Sequence, residues 1–279
     1  MSGQYQHLLR DVLTGRDVAV LADVDRFRLL STRQIQRLHF TDHTTAQAAT
    51  RATHRVLQRL EGHGVLARLE RRVGGPQRGS ATALWQLGSR GLEAIRPDAV
   101  KRGRFREPTS GLFVHHTTEV AETAVEVIER AAARGLDILK LNPEQHAWVQ
   151  FLGQHGQAEW LRPDLYVVVA NQEFEQHSFL EVDRATEHGP QILRKCHVYA
   201  RFAAVGAAER FAGLMPRVLW VVPDKARQRL LRRLIDADAG LPEGLFVVAT
   251  PEAALDLIFE GLGPNDSPQL STPRKEEPA

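Results

Sequence analysis

Asp164, Glu181 and Asp183 have the types and spacing to do chemistry; they lie in the stretch RPDLYVVVANQEFEQHSFLEVDR, residues 162–184. Glu181 and Asp183 occupy alternate positions of an apolar run, so on a strand both side chains leave the same face. Asp164 follows Pro163 at the mouth of the preceding run. If the two runs pair as a hairpin, Asp164 comes to lie beside Glu181. Oxygen ligands of this kind suit a hard cation such as Mg²⁺ or Mn²⁺. A cation held by Asp164 and Glu181, with Glu119 as a further carboxylate, would polarise a scissile phosphate and lower the pKa of a bound water. The bland alternative is that the acids sit on a half-exposed sheet and face water. His115 and His116 are open to the same division, ligand or base on one side and structural on the other.

These side chains need a scaffold. Residues 112–135 place Val120, Ala124, Val127, Ile128 and Ala131 on one stripe, which predicts an amphipathic helix. A strand follows in LDILKLN. AEWLRPDLYVVVA and HSFLEVDR read as two strands joined by a polar turn near residues 171–176. GPQILRKCHVYARFAAV, ARQRLLRRLIDADAG and PEAALDLIFEGL read as helices alternating with the buried strands RVLWVVP and GLFVVAT. This order predicts a mixed α/β sheet with helices on its faces, over residues 112–262. GxGxxG, GxxxxGK[ST] and GxSxG are all absent from the sequence, which removes support for the nucleotide-binding and hydrolase folds that use them. The polar, Pro-rich residues 263–279 are expected to be a disordered tail.

The N-terminal half carries a different chemistry. DVAVLADVDRFRLL has helical apolar spacing. Ser31 with Gln34 forms a capping-box pattern that starts a second helix in STRQIQRLHF. A third helix follows, with Thr44 or Thr45 as its cap and Gly62 and Gly64 ending it. Val65–Leu69 and Ala83–Leu87 read as strands around a Gly-rich turn, and SRGLEAIRP as a short helix. Three helices and a hairpin are the parts of a winged helix-turn-helix, here over residues 1–96. Such a fold lays its third helix in the DNA major groove. Arg51, Arg55 and Arg59 recur every four residues on that helix. Gln47, Thr50 and His54 lie near enough to touch base edges, and Arg71, Arg72 and Arg78 decorate the hairpin, where they could reach phosphates. A solvated Arg face without a ligand and a winged helix used only for protein contacts are the competing readings. Residues 97–111 are charged, carry two prolines and lack apolar periodicity, as a linker does.

Composition fits two modules with different partners. Residues 1–108 hold 19 Lys and Arg against 10 Asp and Glu; residues 109–279 hold 17 against 24. The single cysteine, Cys196, excludes an internal disulfide and a Cys-based zinc site. The N-terminus lacks the apolar stretch of a signal peptide, and no segment approaches the ~20 apolar residues of a membrane span. A cytoplasmic protein without membrane contacts is expected.

Pro163-Asp164 followed by Glu181 resembles the signature of the restriction-endonuclease-like (PD-(D/E)xK) superfamily, which is Pro-Asp, a gap, then Asp/Glu-x-Lys in an α-β-β-β-α-β core. The resemblance implies that Asp164 and Glu181 hold the metal and that a lysine positions or activates the attacking water. Asp183 stands at the lysine position, a departure. Some members supply the lysine from the next helix, where Lys195 in ILRKCHVY is placed to do so. Asp164, Glu181, Asp183 and Lys195 are therefore the catalytic candidates, and a site without Lys195 at the metal would be degenerate or use another base. A tyrosine-nucleophile relaxase is disfavoured: Tyr5, Tyr166 and Tyr199 are the only tyrosines, without an HxH-type metal triad beside them.

The whole chain resembles the replication-relaxation family of bacterial plasmids and conjugative elements. The resemblance is carried by LLSTRQIQRL, RVLQRLEGHGVLARL, GGPQRGSATALWQLGSRGL, HHTTEV, RPD and FLEVDRATEH…ILRKCHVYAR, from about Leu29 to about Val221. Members often show Gly where this chain has Ala185. The family implies a DNA-processing role on mobile elements. Double-stranded DNA is the expected partner, together with replication or conjugation proteins, and a homodimer is left open. Two functions compete: a DNA-binding protein with a Mg²⁺-dependent nicking or cleaving domain, and a non-enzymatic accessory factor or regulator with a degenerate nuclease-like domain.

Overall fold

A computed structural model of the chain describes residues 13–69, 83–95 and 110–263. The hairpin arginines Arg71, Arg72 and Arg78, the Gly-rich turn around them, Tyr5, nearly all of the expected linker and the tail from residue 264 lie outside the described residues.

Local signals set the first helices. Helix α1 (Gly15–Phe27) starts at a capping box in which the Thr14 side chain and the Asp17 carboxylate satisfy each other's backbone NH. After the short strand β1 (Leu30–Ser31), Ser31 and Gln34 repeat the device at the start of α2 (Thr32–His39). Thr45 caps α3 (Ala46–Gly62), and Gly64 turns the chain out of it at φ +68°. Strands β2 (Leu66–Leu69) and β3 (Leu84–Leu87) join β1 in an antiparallel sheet of order β1-β3-β2, and α4 (Ser89–Ile95) follows. Gly91 admits no side chain, because a Cβ there would meet the Val65 carbonyl oxygen at 2.0 Å.

The second half begins with the long helix α5 (Gly111–Arg134), closed by Gly135 in the left-handed region. A five-stranded mixed sheet follows in the order β10-β9-β8-β7-β4. Strand β7 (Leu165–Ala170) runs antiparallel to both β4 (Asp137–Pro143) and β8 (Glu175–Val182); β9 (Arg217–Val221) lies parallel to β8, and β10 (Phe246–Ala249) parallel to β9. Helices α6 (Gly189–Ala204), α7 (Ala207–Ala212), α8 (Lys225–Asp236) and α9 (Pro251–Ile258) fill the connections. The protein is thus α/β with a mixed sheet.

One expected strand is corrected. AEWLRPDLYVVVA is two strands in two sheets: β6 (Ala158–Leu161) pairs with β5 (Val149–Leu152) as a separate ribbon, while β7 begins at Leu165. Pro163 lacks an NH for a ladder, so the chain breaks there and changes sheets. Strand β5 and the short helix α7 carry weak periodicity and are absent from the sequence reading.

The two halves share one core. A single buried cluster runs from Val20, Leu57 and Trp85 of the N-terminal helices and sheet to Val127 of α5, Val167 of β7 and Leu255 of α9. Polar contacts fasten the same joint. The buried Gln34 amide donates to the Thr118 carbonyl at 3.0 Å and to Glu122 at 2.9 Å, and Arg37 donates to Glu129 at 2.7 Å and pairs with Glu122. Arg28 lies over the Phe113 ring at 4.6 Å.

Candidate functional site: a carboxylate cluster and an arginine-bearing helix

The pairing of β7 with β8 aligns Leu165 with Leu180, so Asp164 stands one step beyond, beside Glu181. The two acids meet different partners. One Asp164 oxygen accepts the Val182 backbone NH at 2.8 Å, and the other lies 3.1 Å from His116 Nε2 on α5. Glu181 is 1% exposed. Its Oε2 accepts from Lys195 Nζ at 2.9 Å and its Oε1 from the Tyr199 hydroxyl at 2.7 Å, both on α6. Lys195 also reaches Glu187 at 3.0 Å.

The electrostatics follow from this crowding. Burial pushes the Glu181 carboxyl above the usual carboxylate range; Lys195 pulls against that and the Asp164 charge adds to it. Burial alone would lower Lys195, but Glu181, Asp164 and Glu187 outweigh it and hold the ammonium firmly protonated. The hydrogen bond to Asp164 raises His116 above the ordinary imidazole value. Burial and then the Glu181 charge push the Tyr199 hydroxyl well up, so it stays a donor. Burial drives the Cys196 thiol up to about 12, which makes it an inert core group.

Asp183 and Glu119 go elsewhere. The Asp183 side chain is fully buried, and Arg227 of α8 grips it with two donors, at 2.6 and 3.0 Å. Arg227 also donates to the Glu187 carbonyl at 2.8 Å, which ties the turn after β8 to α8. Glu119 pairs with Arg184 at 2.8 Å. As arranged, these residues do not fit a divalent cation. Both Glu181 oxygens are taken by Lys195 and Tyr199, and no three His, Cys, Asp or Glu side chains among the described residues are gathered as a metal-holding group. The Lys195 ammonium meets part of the charge that a cation would neutralise.

The arginine row of α3 also divides. Gln47, Thr50, Arg51, His54 and Arg55 are all exposed, on the face that α3 turns away from the core residues Ala49, Thr53, Leu57 and Leu60. Thr50 is held locally, donating to the Ala46 carbonyl at 2.9 Å. Among the described residues, Arg51 and Arg55 make no ion pair. Arg59 does: it donates to Asp17 at 2.6 Å, where the Asp17 side chain is almost wholly buried. Burial alone would raise the Asp17 carboxyl, but the bonds from Arg59 and Thr14 hold it below the ordinary carboxylate value.

Some of these partners had a signal in the sequence and some had none. Lys195 and Tyr199 are four residues apart on a helix, so they share a face and can grip one carboxylate together. Arg227 lies 44 residues from Asp183, and no periodicity connects them.

The replication-relaxation family model matches residues 21–218, more than half of the chain. No curated protein and no solved structure matches it. Among the described residues no helix is long and apolar enough to cross a membrane.

Proposed function

The chain belongs to the replication-relaxation family, and from that premise we propose that it is a duplex-DNA-binding factor of mobile-element replication or transfer. The observation that carries this reading is the outward face of α3, where Gln47, Thr50, Arg51, His54 and Arg55 stand exposed and the two arginines are uncommitted among the described residues. A helix of this kind can enter the major groove, with arginine forks on guanine edges or phosphates. The three helices and the β1-β3-β2 sheet support reading this half as a winged helix. The α5-β4-β7-β8-α6-β9 order supports reading the other half as a restriction-endonuclease-like body.

In this reading that body does not cut. Lys195 and Tyr199 satisfy Glu181 from within the fold, and Arg227 satisfies Asp183, so the acids act as fixed points of the structure. Replication or conjugation proteins would then supply the chemistry. The competing reading, a Mg²⁺- or Mn²⁺-dependent nicking centre, draws support from Asp164 standing beside Glu181 with a lysine at hand. Supercoiled plasmid carrying the cognate origin separates the two. The expected result with either metal is intact plasmid together with a gel shift of origin DNA. Nicking that disappears in Asp164→Ala and Glu181→Ala would overturn the non-cleaving reading.

A further inference from the structure

The cleft that reaches down to Glu181 has a second kind of lining. Trp160, Arg162 and Arg194 bound it together with Lys195 and Tyr199, and it encloses about 400 Å³. That volume lies within the roughly 300–1,000 Å³ of pockets that take ligands. Trp160 and Arg162 come from the β5–β6 ribbon and its exit. The ribbon pairs Gln150 with Trp160 and Phe151 with Glu159. Alternation sends Phe151 and Leu161 into the core and leaves Trp160 45% and Trp148 37% exposed. The Arg162 guanidinium lies over the Trp148 ring, 4.9 Å from its centre. Among the described residues, neither Arg162 nor Arg194 makes an ion pair.

We infer that this cleft is a second nucleic-acid subsite that takes an unpaired strand, with a base stacked on Trp160 and adjoining phosphates on Arg162 and Arg194. An exposed indole offers a π face that a base can use only when it is out of the duplex. The guanidinium fork suits a phosphate, and Arg162 is already oriented by its ring. The acids of the cleft do not outweigh this: Lys195 lies within 2.9 Å of Glu181 and 3.0 Å of Glu187, and with Arg162 and Arg194 the lining carries more positive than negative side chains. A base-stacking wall beside a basic rim is the combination that binds single strands without sequence preference. The inference goes beyond duplex reading by α3 and does not depend on it. An origin opened for replication, or a strand displaced for transfer, presents such a ligand.

The test is fluorescence anisotropy of the full chain with a labelled oligothymidylate in EDTA, so that cleavage plays no part. The wild type is expected to bind. Trp160→Ala should weaken binding by about 5- to 150-fold, the loss of one stacked base. Arg162→Ala and Arg194→Ala should each flatten the log–log salt slope by about 0.7. Affinity for duplex DNA should be unchanged in all three. If Trp160→Ala perturbs the ribbon by circular dichroism, Trp160→Leu keeps the apolar bulk without the π face, and Arg194→Ala changes only an exposed position of α6. Failure of the wild type to bind the oligothymidylate overturns the inference. So does binding that ignores both Trp160→Leu and Arg194→Ala; the indoles would then belong to a protein contact.

Discussion

Along α3, arginines recur every four residues at 51, 55 and 59; along the end of β8, acids recur every two at 181 and 183. In each row one member is drawn into the fold by a distant residue of opposite charge. Arg59 goes to Asp17 on α1, and Asp183 goes to Arg227 on α8. The members left behind differ. Arg51 and Arg55 stand in solvent, where a ligand can take them, whereas Glu181 is buried and already satisfied from α6. Regular spacing therefore says which residues share a face, and the neighbours across the fold say which of them are available. By this criterion the helix is the stronger candidate for contact with a partner and the acid row the stronger candidate for structure.

Breaking the acid row should have the largest effect. Arg227→Ala leaves a fully buried carboxylate without its bidentate partner and should cost about 3–5 kcal/mol of stability, measured by urea unfolding. A loss within experimental error of zero would mean that Asp183 is free for other work. Arg59→Ala should cost less, about 2 kcal/mol, because Arg59 is itself partly exposed and Thr14 still donates to Asp17. It should leave DNA affinity of the folded protein nearly unchanged, which separates it from its neighbours in the row.

The same pair has a pH signature. A carboxyl depressed in the folded state stabilises above its unfolded value, about 3.9, and that stability is lost as the pH falls through the folded value. The wild type should lose stability on the acid side through this window, and Arg59→Ala should lose less of it, in unfolding curves taken across the pH range. Equal acid-side losses would mean that Arg59 does not set the Asp17 titration.

Arg51→Ala and Arg55→Ala should leave unfolding curves in place. Each is expected to flatten the log–log salt slope of duplex binding by about 0.9 if it meets a phosphate. Unchanged slopes in both would move the duplex contact away from α3. The smallest effect belongs to the turn after β8. Ala185 sits at φ +59°, in the left-handed region where a Cβ is costly. Ala185→Gly should gain about 0.5–1 kcal/mol, detectable as a shift of the urea midpoint. A destabilised Ala185→Gly would mean that the alanine methyl makes a contact worth more than the strain.

Much of the scaffold was legible along the chain. The Ser31–Gln34 box and the stop at Gly62 lie where the residues place them, and the cap falls on Thr45, one of the two threonines the sequence offers, because caps are settled within four residues. The apolar stripe of α5 and the buried runs of β7, β9 and β10 were equally plain, since burial writes a period into the sequence. The break at Pro163 was misread, because the two flanking runs carry the same strand signal and only the sheet each one joins tells them apart. The adjacency of Asp164 and Glu181 was also within reach, since two apolar runs with a short polar turn between them pair as a hairpin.

The sequence by itself determined which residues could be used: the exposed stripe of α3, the acids at the strand ends and the α6 lysine that reaches one of them. Only the tertiary structure decided which of them remain free. Arg227, Asp17 and His116 are brought to their partners by tertiary packing, and charge pairing between residues tens of positions apart leaves no local pattern to read. Burial then fixes the outcome, because a carboxylate taken out of water must find a donor within the fold, whereas an arginine left in water has no such obligation.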